Sequence, residues 1–149
     1  MRTSIYSLAI LLLVIACQNA ASPEKETNAS QAATDHQDGP AAVQLNNGEK
    51  WQANPETTQG IQAMQQLTAN FSTDGPDADY AMLKKGLVTE FETIFKKCTM
   101  TGEAHNQLHN YLIPLKGLLE KLDSSDPATN KATLELIGKH LGEYERYFN

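Results

Sequence analysis

The sequence predicts an all-α domain, an up-down-up-down four-helix bundle, preceded by a signal peptide and a disordered tether. Three observations carry that expectation. Between residues 55 and 148, apolar residues recur in steps of three and four in four separate stretches, the spacing that gathers them on one helix face. Asn54-Pro55-Glu56 and Ser125-Asp126-Pro127 each join a cap residue to a proline at the first helical position, a combination that starts helices. No stretch of this region alternates apolar and polar residues as a half-buried strand would.

In chain order, residues 1–16 read as a targeting segment. Arg2 supplies its positive charge, and Ile5 to Ile15 is almost wholly apolar yet too short to span a bilayer. It runs into Val14-Ile15-Ala16-Cys17. This resembles the lipobox of bacterial lipoproteins, in which the signal is cut before the cysteine and that cysteine carries the lipid. The resemblance implies a cell-envelope protein held to a membrane by acyl chains, palmitate among them, on Cys17, without a transmembrane helix. Gln18 in place of an aspartate resembles the sorting pattern of outer-membrane lipoproteins in some Gram-negative bacteria, which implies the outer membrane, on its periplasmic or surface face. An ordinary secretory signal is the alternative.

Cleavage before Cys17 removes Arg2 alone among the charges, leaving 11 basic against 18 acidic residues and a formal charge of −7. Such a surface does not favour nucleic acid as a partner. Residues 17–47 are rich in Ala, Ser, Asn, Gln, Asp and Thr and lack the large apolar groups that order a chain. They read as a flexible linker, with His36 as spacer. The domain, residues 48–149, is long enough for one small core and not for two.

Its first helix starts at Pro55 and carries Ile61, Met64, Leu67 and Phe71 before Asp74-Gly75-Pro76 breaks it. The second runs from about Asp77 to Cys98 on the stripe Tyr80, Leu83, Leu87, Phe91, Ile94 and Cys98. The third, from Gly102 or Glu103 to Leu122, carries His105, Leu108, Leu112, Leu115, Leu119 and Leu122, with a kink expected at Pro114. The fourth starts at Pro127 and carries Leu134, Ile137, Leu141, Tyr144 and Phe148. Short connections favour antiparallel neighbours. Cys98, Met100, His105 and His109 would then share one end of the bundle with Trp51, Ile61, His140, Tyr144 and Phe148, whose apolar groups would wall the site from water.

Cys98-Thr99-Met100-Thr101-Gly102-Glu103-Ala104-His105-Asn106-Gln107-Leu108-His109 places a thiol, a thioether and two imidazoles within twelve residues. His105 and His109, four apart, share a helix face. Thr99, Thr101 and Gly102 continue helices poorly, so the chain can turn there. Thiolate and thioether suit copper(I) or zinc, and imidazole suits both, so the set points to a copper ion first and zinc second. With Cys17 lipidated, Cys98 has no disulfide partner within the chain. The bland readings are a small buried residue for Cys98, a hydrophobic cap for Met100, and a core-edge and a solvated histidine for His105 and His109. His140 is a possible extra ligand, and Glu103 a helix cap or an outer partner of a histidine. The one-Cys, one-Met, two-His composition resembles blue-copper proteins, which are β-sandwiches, so neither fold nor mechanism carries over. The whole stretch is similar to one in small lipoproteins of Gram-negative bacteria, which implies a helical, lipid-anchored domain and supplies no activity.

The function expected is metal handling rather than catalysis: sequestration, delivery to another envelope cuproprotein, or sensing, through Cys98, Met100, His105 and His109. The alternatives are a metal-free adaptor or structural bundle that binds another envelope protein, and a haem-binding bundle with Met and His axial ligands. A Cys98 nucleophile with His105 as base lacks a recognisable third group.

Overall fold

Among the described residues five segments are helical: α1 Pro55–Ala69, α2 Tyr80–Lys97, α3 Gly102–Lys121, α4 Pro127–Gly142 and α5 Tyr144–Tyr147. The first four each bury one apolar stripe, and α1 and α4 open on a cap residue followed by proline. The structure, a computed structural model, describes residues 41–73 and 79–149. The signal segment, Cys17, His36 and the Asp74-Gly75-Pro76 break lie outside the described residues. Among those described there is no strand, only the isolated bridges Asn46–Glu49 and Trp51–Phe148.

The helix starts show how the sequence sets the ends. At α2 the Asp79 carboxylate accepts from Met82 N at 2.8 Å, so the helix begins at Tyr80 and not at the expected Asp77. At α4 the Asp126 carboxylate accepts from Ala128 N and Thr129 N, as the Asp-Pro signal predicts. Asn54 behaves differently. It stands at the cap position of α1, yet its Nδ2 donates to the Lys97 carbonyl at 3.2 Å and to Glu56 at 2.9 Å. The side chain thus satisfies a carbonyl left over at the end of α2.

The fourth helix is shorter than its stripe suggests. It ends at Gly142, Glu143 turns, and α5 follows as a single turn. Exposed Gly138 and Gly142 favour a stop there. Phe148 is buried as expected, but in extended backbone bridged to Trp51. α3 runs through Pro114 without ending.

The core gathers Ile61 and Met64 of α1, Leu83, Leu87, Phe91 and Ile94 of α2, Leu108, Tyr111, Leu112, Leu115 and Leu119 of α3, and Leu134, Ile137 and Leu141 of α4. α1 lies against α2 and α4, and α3 against α4 and more sparingly against α2. At Gly60 the approach of α1 to α2 leaves no room for a side chain, since an added Cβ would sit 2.5 Å from Ile94 Cγ1. Thr58 shares a hydroxyl bond of 3.0 Å with Tyr144. Tyr111 OH donates to the His140 carbonyl at 3.0 Å. At the other end, Phe71 packs on Tyr80, and Lys84 Nζ donates to the Glu120 and Leu122 carbonyls that close α3.

Residues 43–53 form a strap over these helices, so packing begins before Gly48. Val43 and Trp51 rest on the core. Gln44 N donates to Gln107 Oε1 at 2.7 Å, and Trp51 Nε1 donates to Gln44 O at 2.6 Å. Backbone bonds from Trp51 N to Tyr147 O, from Asn149 N to Trp51 O and from Ala53 N to Asn149 O join the strap to the C-terminus.

Candidate functional site

Between α2 and α3 the chain leaves helical geometry for four residues. Cys98 is extended (φ −65°, ψ 123°), and so is Thr101 (φ −138°, ψ 167°). Gly102 then takes φ +62° with nothing near its missing side chain; the backbone conformation, not space, requires glycine there. The bond from Asn54 to Lys97 O fixes the chain immediately before Cys98.

This turn brings three of the expected residues into a row. Cys98 Sγ lies 3.6 Å from His105 Nδ1, and His105 Nε2 lies 3.0 Å from His109 Nε2. The two rings are edge-on, 4.5 Å between centroids. All three side chains are half-buried, and Cys98 is a free thiol. The His105 ring therefore stands between the thiol and the second imidazole, one nitrogen to each. A neutral imidazole carries one N–H and one bare nitrogen. If His105 gives its Nε2 proton to His109, its Nδ1 is bare toward Cys98; if it keeps the proton on Nδ1, it donates to the sulfur and accepts from His109.

The other expected residues make different contacts. Met100, half-buried, packs against the hydrophobic core. Glu103, fully exposed, accepts from Gln107 Nε2 at 2.7 Å and Asn106 Nδ2 at 3.1 Å, and these bonds hold its carboxyl below the usual range. It is thus tied to amides and not to a histidine. His140 Nε2 donates to the Tyr111 carbonyl at 2.9 Å while its ring stacks on Tyr111 at 4.5 Å. That exchange fastens α3 to α4. Burial pushes the Tyr111 hydroxyl far above its ordinary value, with Tyr144 and Glu143 adding to it, so it keeps the proton that it donates to the α4 carbonyls. Trp51, Tyr144 and Phe148 gather around this Tyr111 seam.

Phe95 is the aromatic that covers the row, its ring edge-on to His109 at 5.7 Å and 46% exposed. The stripe pattern passed it over, since it lies beside the buried line; its place three residues before Cys98 was the available signal. Among the described residues, no group of three or more His, Cys, Asp and Glu side chains stands together as a metal-holding set. The pairs are nonetheless spaced as ligands. A tetrahedral ion with sulfur at ~2.3 Å and nitrogen at ~2.0–2.1 Å separates those donors by about 3.6 Å, the distance between Cys98 and His105.

In comparisons with known proteins, no family model, no curated protein and no solved structure matches this chain.

Proposed function

We propose that this is a lipid-anchored envelope protein whose helices form an up-down-up-down bundle and whose α2–α3 turn binds one soft metal ion, copper first and zinc second. The bundle reading is supported by contacts at both ends: Asn54 on Lys97, Tyr111 on His140, and Lys84 on the end of α3. The anchor rests on the lipobox resemblance at Cys17. Among the described residues no helix is long and apolar enough to cross a membrane.

The observation that carries the metal reading is the 3.6 Å between Cys98 Sγ and His105 Nδ1. These two are the ligands of the proposal, with the Met100 thioether nearby in the chain. His109, expected as a further ligand, faces the other nitrogen of His105 and takes the proton of its Nε2–H. Outer partners of this kind fix the tautomer and orientation of a ligating imidazole. Two protein donors leave coordination positions open. That suits transfer of the ion by ligand exchange better than closed storage.

A metal-free adaptor is the second reading, favoured by Phe95 and Ile113, 46% and 48% exposed. Metal content of the full chain after anaerobic loading separates the two. One equivalent of copper(I), lost in Cys98→Ser and in His105→Ala and weakened about 10- to 100-fold in His109→Ala, supports the site. Copper bound equally by Cys98→Ser and wild type overturns it, and no bound copper in any of them overturns it and leaves the adaptor.

A further inference from the structure

We infer that the turn holds two donor pairs, not one, sharing His105: a sulfur–nitrogen pair for copper(I), and a nitrogen–nitrogen pair, His105 Nε2 with His109 Nε2, for a divalent borderline ion such as zinc. The inference rests on the metal-binding reading above and gives it its selectivity.

The geometry separates the two pairs cleanly. Because Cys98 and His109 meet opposite nitrogens of one ring, an ion placed between the sulfur and Nδ1 is not shared with His109. An ion placed between the two Nε2 atoms is not shared with Cys98. The nitrogens are 3.0 Å apart, inside the range of about 2.9–3.3 Å that ligand angles from 90° to 109° require of two imidazoles at ~2.0–2.1 Å. The spacing of four residues brings both side chains to one face of α3, and their rotamers set the distance, so the pair needs no movement of α2.

The donors differ in softness. Thiolate with imidazole can hold either ion, but copper(I), the softer of the two, gains more from the thiolate than zinc does, while two imidazoles suit zinc and other borderline divalent ions. Each pair also supplies the other's outer partner. With copper at Nδ1, the Nε2–H of His105 donates to His109. With zinc at Nε2, the proton sits on Nδ1 and donates to Cys98 sulfur. One ring has one such proton to place, and filling both pairs would strip it to an imidazolate. That bridged state costs the ring its last proton, so the two ions compete although they use different edges of the ring. The turn is a selector that favours one ion over two, and copper(I) arriving at Cys98 displaces zinc from the imidazole pair.

The test titrates the full chain with zinc(II) alone and, anaerobically, with copper(I) alone, against a chromogenic chelator, in wild type, Cys98→Ser and His109→Ala. The effects should cross. Cys98→Ser loses copper(I) and keeps zinc, weakened about 10- to 100-fold by the lost outer partner, while His109→Ala loses zinc and weakens copper(I) by the same factor. Cobalt(II), substituting for zinc, should show no thiolate-to-metal charge-transfer band, a readout independent of any variant. One equivalent of copper(I) should release zinc from the zinc-loaded chain. Zinc lost equally in Cys98→Ser, a strong thiolate–cobalt band, or both ions held at one equivalent each overturns the inference. Copper bound without zinc overturns it and leaves the copper site standing. Zinc bound without copper overturns the copper reading and, with it, the competition.

Discussion

Gln107→Ala tests the strap and the site together. Gln107 is 7% exposed, sits between His105 and His109 in α3, and is the only side chain to which Gln44 N donates. Truncation leaves that amide without its acceptor, a loss of about 1 kcal/mol for a neutral bond. It also removes a buried methylene, worth about 0.8 kcal/mol. Together they come to about 2 kcal/mol, and in a domain of roughly a hundred residues each kcal/mol lowers Tm by about 4–8 °C, so a fall of about 8–16 °C is expected. Trp51, the sole tryptophan, donates to Gln44 O. Its emission should therefore shift to the red in the native variant, before unfolding, as the strap lifts. The assay is thermal unfolding followed by circular dichroism and by Trp51 fluorescence in parallel. A Tm within about 2 °C of wild type with an unchanged native emission spectrum would refute the reasoning, because the strap would then not depend on Gln107.

Three further outcomes follow from named contacts. Gly60→Ala adds a helix former, worth about 1 kcal/mol, but drives a Cβ to 2.5 Å from Ile94 Cγ1 in a side chain with no exposure; overpacking of about 1–3 kcal/mol should win, and chemical denaturation showing a stabilised variant would contradict the close α1–α2 approach. In the double variant with Ile94→Ala the new methyl occupies vacated space, so the two costs should sum to more than the measured loss. Gly102→Ala forces φ +62° on a side-chain-bearing residue and should cost about 1–2 kcal/mol in denaturant titration, with Gly102→Asn milder; equal stability of all three would mean the turn relaxes. The Asp126 carboxyl is held below its ordinary value of 3.8 by the hydroxyl and amide of Thr129 and by Ala128 N. Its contribution is therefore full above that value and lost as pH falls through the lowered one. The stability gap between wild type and Asp126→Ala should narrow on acidification below about pH 4, and a gap independent of pH would remove the capping role.

The helices were legible because burial of one face imposes its period on the sequence: Leu83, Leu87, Phe91 and Ile94, and likewise Leu108, Leu112, Leu115 and Leu119, are buried as their spacing predicts. Tyr111 was not legible. It lies off that row and is drawn inward by the Tyr144 and Phe148 rings and by the α4 carbonyls its hydroxyl meets. The strap was missed for a related reason. Its attachment runs through backbone groups, one buried amide and two isolated apolar side chains, Val43 and Trp51, which are too few to make a hydrophobic period. Asn54 reads as a cap from its neighbours alone, and its side chain does bond Glu56 and Thr57 in the first turn of α1; the bond to the distant Lys97 carbonyl leaves no local signal. At the site, the spacing of His105 and His109 and the weak helix formers after Cys98 indicated which residues would meet. Which nitrogen faces which partner depends on side-chain rotation, about which sequence spacing says nothing.

The distribution of packing bears on how such a turn could exchange an ion. α1 and α2 are locked by the Gly60–Ile94 approach, and α3 and α4 by the reciprocal bonds between Tyr111 and His140. α2 and α3 meet more sparingly along their length and are held chiefly at their ends, by Lys84 at one and by the Cys98 turn at the other. A ligand set that spans this seam can lose or gain one donor without disturbing the core on either side. Had the donors come from α1 and α2, every change of coordination would have worked against close-packed side chains that resist small displacements. Phe95, exposed on α2, sets its ring edge-on to His109 on α3 and so stands in the way of that imidazole as it turns. Phe95→Ala should therefore leave Tm nearly unchanged while speeding the release of zinc to a chelator, measured by stopped flow. A large fall in Tm with no change in release would instead make Phe95 a packing residue and return the control of exchange to the ring of His105.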